Sequence, residues 1–281
     1  MSTDPILFEI RGPIAIITIN LPHKLNALSG ELYRRIGFHL QRIALMPDIT
    51  ITILTGRGRF FSAGMDFTAM KGTPPITTTS SGEEDTKRTF WLRQFAASNM
   101  EVTKAFLEHP KLLIVALNGP AVGLSAALVA HADFIYCTSS TFLLTPFTTL
   151  GLVAEGGSSY TFIQRLGPAK ANEALILSKQ LSAQDLLSCG FVNKVYPTPS
   201  NPNDATGFVE TVIEDVKREF LERGLNRESM LEVKRLIKDS FRSGLMDTNV
   251  KEAFSGLERF LSGVPLREFE AFAKGEKKHK L

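Results

Sequence analysis

The feature that most constrains the fold is a run of 21 residues, positions 112 to 132, that contains no formal charge. A stretch of about 20 apolar residues can cross a membrane as a helix. Asn118-Gly119-Pro120 interrupts the middle of this run, however, and that combination is a strong turn signal. The run therefore predicts a buried strand at Leu112–Leu117, a turn, and a buried helix at Gly123–Ala132, with no membrane span.

Strand and helix patterns alternate along the first 200 residues, which predicts an α/β core with parallel strand pairing. Further strands are predicted at Pro13–Asn20, Ile49–Thr55, Phe134–Tyr136 and Phe142–Leu144, and helices after the capping residue Ser29 and over Lys87–Leu107. Beyond the loop-like segment Pro197–Asn203 only helical patterns remain, at 208–223, 228–241, 248–262 and 265–273. We expect a core at 1–200 and a helical assembly segment at 201–281.

The charge distribution argues against nucleic-acid binding. The net charge of +3 comes from 32 basic and 29 acidic residues, and the last eight residues, with four Lys and one Glu, carry that whole excess. The preceding body is formally neutral, whereas binding to nucleic acid usually needs a basic surface. The two cysteines are typical of a reducing compartment.

Several common catalytic motifs are absent or incomplete. The sequence from Gly123 to Ala127 resembles a nucleophile elbow, but its final glycine is replaced by alanine, so we expect Ser125 to be a packing residue. The five histidines show no HxxxH or HExxH spacing, and no metal site is predicted.

Two strand–turn–helix junctions can carry chemistry. One follows the strand at 49–55 and runs through Phe61-Ser62-Ala63-Gly64-Met65-Asp66, and the other follows Leu112–Leu117. Each places small residues where backbone N–H groups are free, so the pair could direct two donors at one oxygen as an oxyanion hole. Alternatively, the glycines serve only tight turns and close helix packing.

Glu155 is the carboxylate of a segment of small and apolar residues, Leu150–Ser158. Burial would raise its pKa towards that of a useful general base. Alternatively, it is an acidic residue placed at a helix N-terminus by the helix dipole.

Three segments in this order and spacing, FFSAGMDF, NGPAVGLSAAL and LGLVAEGG, resemble the crotonase (enoyl-CoA hydratase/isomerase) superfamily, and most of all its fungal peroxisomal 3,2-trans-enoyl-CoA isomerases. The resemblance implies a ClpP-like spiral of ββα units with a C-terminal helical trimerisation segment. It further implies an acyl-CoA thioester substrate, no separate cofactor, and a homo-oligomer, either trimer or hexamer.

The resemblance also implies roles for particular residues. The backbone N–H groups of Met65 and Leu124 would form the oxyanion hole. Substrate would be bound near the positions that match the family's CoA pocket, which are Lys24, Asn26, Ala27, Ala63, Asp66 and Phe67. Phe147, at a hydratase acid position, would also contact the substrate and help to exclude water.

Departures from the family pattern are informative about the reaction. Hydratases of the superfamily use two glutamates, and the matching positions here are Ala127 and Phe147. The remaining acid, Glu155, stands at the position that the monofunctional isomerases use. The resemblance thus implies a 3,2-trans-enoyl-CoA isomerase of fatty-acid β-oxidation. The alternatives are a dienoyl-CoA isomerase and a non-catalytic CoA-binding module.

Two further features are left open by the sequence. The terminal His279-Lys280-Leu281 resembles the Ser-Lys-Leu type of peroxisomal address, read by an import receptor, which would place the protein in the peroxisomal matrix. Alternatively, it is a solvated basic tail. Trp91 and Phe95 either form the floor of a substrate pocket or, as their helical spacing favours, belong to the core.

Overall fold

A computed structural model describes residues 3–66, 81–201 and 203–276 of the chain. Its strands are β1 (Ile6–Arg11), β2 (Ile14–Ile19), β3 (Ile51–Gly56), β4 (Leu112–Leu117), β5 (Ala121–Val122), β6 (Phe134–Thr138), β7 (Phe142–Leu144), β8 (Leu181–Ser182) and β9 (Lys194–Tyr196). Its helices are α1 (Gly30–Ala44), α2 (Ser81–Trp91), α3 (Ser98–Leu107), α4 (Leu124–Val129), α5 (Ser158–Leu175), α6 (Ala183–Ser188), α7 (Thr206–Val216), α8 (Arg227–Asp239), α9 (Arg242–Leu261) and α10 (Val264–Ala273).

The main sheet has six strands in the order β1-β2-β3-β4-β6-β9. All neighbours are parallel except the β1–β2 hairpin, so the predicted parallel core is confirmed. A second sheet, in the order β5-β7-β8, lies beside the strand ends. Strand β1 was not predicted, because its alternating pattern ILFEIR is half exposed and therefore lacks a continuous apolar run.

Both faces of the main sheet are buried, which explains why its central strands are uninterrupted runs of Ile, Leu and Val. One face packs against α1, whose buried positions include Tyr33, Ile36 and Leu40. The other face packs against α7 through Phe208 and Val212. Ser29 begins α1 as predicted, since its hydroxyl accepts a hydrogen bond from the Leu32 N–H at 3.3 Å.

The predicted helix over Lys87–Leu107 is divided in two by a π-helical segment at Leu92–Ala97. Such π-helical turns often occur at functional sites. The C-terminal helices follow the predicted positions, although α9 begins at Arg242 rather than at 248.

Helix α9 crosses back over the core, where it contacts α2, the π-helical segment, α3 and α5. Helix α10 then packs against α9. None of the helices in the described ranges is both long and apolar enough to cross a membrane.

Candidate active site

The two predicted junctions lie against each other. Ser62 and Ala121 form a parallel β-bridge, and the Val122 N–H donates to the Ser62 carbonyl at 2.9 Å. Gly64 has a φ of +88°, and a Cβ there would lie 2.9 Å from the Val122 carbonyl oxygen. The close approach of the two loops therefore requires glycine at this position.

The junctions leave two backbone donors unused. Residue Leu124 is the first of α4, where an N–H has no partner within the helix. Neither the Met65 N–H nor the Leu124 N–H donates to an acceptor within the part of the chain that the structure describes. Both residues line the same cavity, as an oxyanion hole requires.

The cavity is small, about 70 Å³, and largely apolar. It brings together five residues from the predicted site, namely Ala63, Met65, Leu124, Phe147 and Glu155. The rest of its lining comes from Gly64, Phe95, Val122, Gly123, Pro146, Leu150, Leu152, Phe260 and Phe269. Glu155 is thus the one carboxylate in the described lining of this cavity.

Glu155 is only 6% exposed, and its environment suits an acid–base group. Burial raises the pKa of its carboxyl to about 8, and the negative charge of Glu252 adds to the rise. The Asn99 amide opposes the rise by donating to Glu155 Oε2 at 3.0 Å. A carboxyl with a pKa near neutrality can both accept and return a proton.

The loop that carries Glu155 is held by buried contacts. His131 Nε2 lies 2.7 Å from the Gly156 carbonyl oxygen, and burial lowers the pKa of His131 to about 3, so the ring is neutral and donates. Gly156 and Gly157 both have positive φ. A Cβ at Gly156 would lie 3.0 Å from the Ala127 Cβ, so α4 approaches this glycine closely.

A chain of buried hydroxyls lies beneath both junctions. Tyr33 Oη is 2.7 Å from Ser125 Oγ, which donates to Ser62 Oγ at 2.8 Å, and Ser62 Oγ donates to the Asn26 carbonyl at 2.8 Å. The Gly64 N–H also donates to Ser62 Oγ. Ser125 is therefore a structural residue, as expected, and it joins α4 to the loop after β3.

Of the described residues predicted to bind CoA, Ala63 lines the cavity, whereas Lys24, Asn26, Ala27 and Asp66 do not. The Asn26 side chain is fully buried and bonded to the Leu21, Arg57 and Phe60 backbone, so its direct role is to hold these loops. Lys24 Nζ pairs with Asp66 at 3.1 Å. Ala27 lies in the same loop as Lys24 and Asn26. The Ala63 N–H donates a hydrogen bond to the Leu25 carbonyl of that loop. Phe67 lies outside the described residues.

Sequence reasoning missed the groups that helices contribute from a distance. Asn99 of α3 donates to Glu155, and Glu252 of α9 accepts from the Gly157 N–H. Two aromatic residues of the cavity lining come from the last helices, Phe260 from α9 and Phe269 from α10. All lie in predicted helices, but helical spacing does not say which distant loop a side chain meets. Of the two aromatic residues left open, Trp91 is a core residue stacked on Phe260, whereas Phe95 also lines the cavity.

A larger groove of about 620 Å³ lies between α8 and the core, and Glu155 is not part of its described lining. Among its charged residues, Lys234 and Lys238 both contact Asp133, and Arg165 donates to the Ala130 and Ala132 carbonyls. No group of three potential metal ligands occurs among the residues the structure describes.

Comparison with known proteins identifies the family. The family model described as enoyl-CoA hydratase/isomerase matches residues 9–222. The chain belongs to the enoyl-CoA hydratase/isomerase family. The expected crotonase fold is confirmed by an enoyl-CoA hydratase/isomerase from Pseudoalteromonas atlantica, which superposes with a TM-score of 0.80 at 25% identity, covering 99% of this chain and 100% of that one.

Relatives within the family are named isomerases. A Pyricularia oryzae protein named Delta(3,5)-Delta(2,4)-dienoyl-CoA isomerase is 47% identical over 97% of this chain and 98% of its own length. The Saccharomyces cerevisiae 3,2-trans-enoyl-CoA isomerase is 35% identical over 99% of this chain and 97% of its own length. A mouse relative, 29% identical over 90% of this chain and 73% of its own length, is named Enoyl-CoA delta isomerase 3, peroxisomal. The prediction of an isomerase is confirmed.

Proposed function

We propose that this family member moves the double bond of 3-enoyl-CoA thioesters to give trans-2-enoyl-CoA. One observation carries the proposal: a single buried carboxylate, Glu155, shares an apolar cavity with Met65 and Leu124, whose N–H groups have no acceptor among the described residues. One base and two hydrogen-bond donors are what a 1,3-proton transfer next to a thioester needs.

In the proposed mechanism, the Glu155 carboxylate removes a proton from the α carbon of the substrate. Negative charge moves to the thioester oxygen, where the Met65 and Leu124 N–H groups stabilise the dienolate. The protonated Glu155 then returns the proton to the γ carbon. Because the α and γ carbons are close together on one face, one carboxyl can serve both. Losing one such donor typically costs about 3 kcal/mol of transition-state stabilisation.

Hydration is disfavoured by the residues at the two hydratase positions. Ala127 is fully buried, and its methyl group lies where a Cβ on Gly156 would meet it at 3.0 Å. Phe147 is 2% exposed and lines the cavity. Neither side chain can hold or activate a water molecule, and both help to keep water from the dienolate.

We infer that the CoA portion lies along the loops that border the cavity. Ala63 would meet the adenine through its backbone, while Lys24 would pair with phosphate. Lys24 is half exposed and is held beside Asp66, which supports this role. Asn26, Ala27, Asp66 and Phe67 complete the proposed CoA site, and no cofactor is needed because CoA is part of the substrate.

A second candidate is the isomerisation of 3,5-dienoyl-CoA, the reaction named for the relative that is 47% identical. In that reaction the proton must reach the ε carbon, which lies farther from the α carbon. Transfer over this distance is easier with a second acid, and the described lining of the cavity supplies only Glu155. This observation favours the 3-enoyl substrate.

The test compares Glu155→Gln with wild type on 3-hexenoyl-CoA and on 3,5-octadienoyl-CoA. We expect wild type to prefer 3-hexenoyl-CoA, and Glu155→Gln to lose about a hundredfold or more in kcat. Glu258→Gln is the matched control, since Glu258 pairs with Arg88 at the surface. A variant within tenfold of wild type would contradict the role of Glu155, and a preference for the dienoyl substrate would favour the second candidate.

We propose that the protein acts in the peroxisomal matrix, with His279-Lys280-Leu281 as the segment that an import receptor reads. The β-oxidation chemistry and the mouse relative's name support this location. A fluorescent reporter carrying the last eight residues should accumulate in peroxisomes, whereas the same reporter without the final leucine should stay in the cytosol. Diffuse fluorescence from both reporters would contradict the proposal.

We further propose a homo-oligomer, a trimer or a hexamer. Three apolar side chains of α8 support it, because Val233, Leu236 and Ile237 are each more than half exposed. Light scattering on the purified protein would measure the mass directly, and a monomer would refute assembly.

A further inference from the structure

Glu252 is a buried acid from α9 that the proposed reaction does not use. It is 6% exposed, and its carboxylate accepts three hydrogen bonds from the start of α5. The Gly157 N–H donates to Oε2 at 2.6 Å, and the Ser159 N–H and hydroxyl both donate to Oε1, at 2.8 Å and 2.6 Å. Burial raises the pKa of Glu252 above its ordinary value, while the three donors and the positive end of a helix dipole oppose this rise by stabilising the ionised form.

The position of these contacts connects them with the proposed chemistry. Gly157 is two residues after Glu155, and both Gly156 and Gly157 have positive φ. A loop of two such glycines has little conformational preference of its own, so outside contacts must hold it. Glu252 holds its far end, while His131 binds the Gly156 carbonyl and Asn99 binds the Glu155 carboxylate.

Glu252 is also the principal charge near Glu155. Two further titratable groups that face Glu155 or its loop are Tyr33 from α1, whose pKa burial raises, and His131, whose pKa burial lowers to about 3. Both are neutral across the range in which enzymes are assayed. Two ionisable side chains lie at the other end of the loop: Arg259 of α9 donates to the Gly151 carbonyl, and Glu268 of α10 lies beside Gly151.

We propose that Glu252 is a positioning residue, which anchors the Glu155 loop from α9 and supplies the negative charge against which Glu155 exchanges its proton. This inference rests on the proposed function of Glu155. It means that the C-terminal helical segment takes part in the reaction, because the geometry of the base depends on a residue of α9. Burial and the Glu252 charge together raise the pKa of Glu155, in agreement with this arrangement.

The experiment measures kcat and KM on 3-hexenoyl-CoA from about pH 6 to about pH 10 for Glu252→Gln and Glu252→Asp. Glu258→Gln serves as the control, because it makes the same change at an exposed position of the same helix. Thermal unfolding is recorded for each variant. A merely structural role would lower the unfolding temperature without moving the pH of half-maximal kcat/KM.

We expect Glu252→Gln to move the acid limb of kcat/KM to lower pH by about half a unit or more, since a like charge is removed. Its plateau kcat should fall about tenfold because the loop loses its anchor, with KM changed by less than about twofold. Glu252→Asp keeps the charge, so its acid limb should stay in place while kcat falls by about fivefold.

An unchanged acid limb in Glu252→Gln would overturn the proposal, whatever the change in its kcat. If Glu252→Gln does not fold, Glu252→Asp decides, and a wild-type kcat there would overturn it. The parallel Glu155→Gln measurement separates the two claims. Loss of activity in Glu155→Gln with wild-type behaviour at position 252 refutes only the role of Glu252, whereas activity within tenfold in Glu155→Gln refutes the proposed function itself.

Discussion

At the scale of single residues, the burial of Glu155 has a direct consequence for the pH dependence of catalysis. Burial, and then the Glu252 charge, raise the pKa of its carboxyl to about 8. The base must be ionised to remove the α proton, so activity is lost as pH falls through that pKa. We expect kcat/KM to be half-maximal near pH 8 in the free enzyme. A rate profile that is flat down to about pH 6 would contradict this expectation.

The same shift predicts an effect on stability. A carboxyl whose pKa is raised by folding binds more protons in the native than in the unfolded state, so the free energy of unfolding falls as pH rises between the two pKa values. That window runs from the ordinary value of 4.5 to about 8. The glutamine in Glu155→Gln cannot ionise, so the free energy of unfolding of this variant does not fall with pH for this reason.

We therefore expect the unfolding temperature of Glu155→Gln to exceed that of wild type by a margin that grows from about pH 5 to about pH 8. Calorimetry at several pH values measures it, with Glu258→Gln as the control. An equal margin at all pH values would mean that ionisation of Glu155 does not destabilise the native state.

At the scale of elements, the proposed oxyanion hole depends on how closely the loops after β3 and β4 approach each other. A side chain at Gly64 meets the Val122 carbonyl at 2.9 Å, and φ there is +88°. Gly64→Ala must therefore separate the loops and displace the adjoining Met65 N–H. We expect a fall in kcat of about a hundredfold with a smaller change in KM.

Gly190→Ala is the matched control for this variant. Gly190 has a similar φ of +79°, but a Cβ there meets nothing within 4 Å. Both variants carry the backbone strain of an alanine at positive φ, about 1–2 kcal/mol, and only Gly64→Ala carries the clash. If the two lost activity equally, loop separation would not be the cause.

At the scale of the whole molecule, helices after residue 201 complete the lining of a cavity whose other residues belong to the core. Phe269 of α10 and Phe260 of α9 line it, and their ring centroids lie 6.4 Å apart. Phe269→Ala should admit water beside Glu155, which weakens the hydrogen bonds to the dienolate. We expect kcat/KM to fall about tenfold, and Phe38→Ala, at an exposed position of α1, to leave it unchanged. Equal activity of the two variants would show that α10 does not seal the site.

Much of this arrangement could be predicted from the sequence because the signals are local. The charge-free run broken at Asn118-Gly119-Pro120 predicts β4, its turn and α4, and uninterrupted β-branched runs predict the parallel strands. The small residues at both junctions and the lone acid at 155 also predict the parts of the candidate site that the cavity brings together. Each of these signals depends on neighbours within a few residues.

Only the tertiary structure decided which distant groups surround Glu155. Asn99 lies in one helix and Glu252 in another, yet both act on the same loop. An apolar periodicity says which face of a helix is buried, but not what it is buried against. The sequence by itself thus determined the parallel pairing of the strands, the glycine junctions and a candidate for the base. Long-range packing determined the depth of burial, the partner charge and the aromatic cover, and these set the pKa of Glu155.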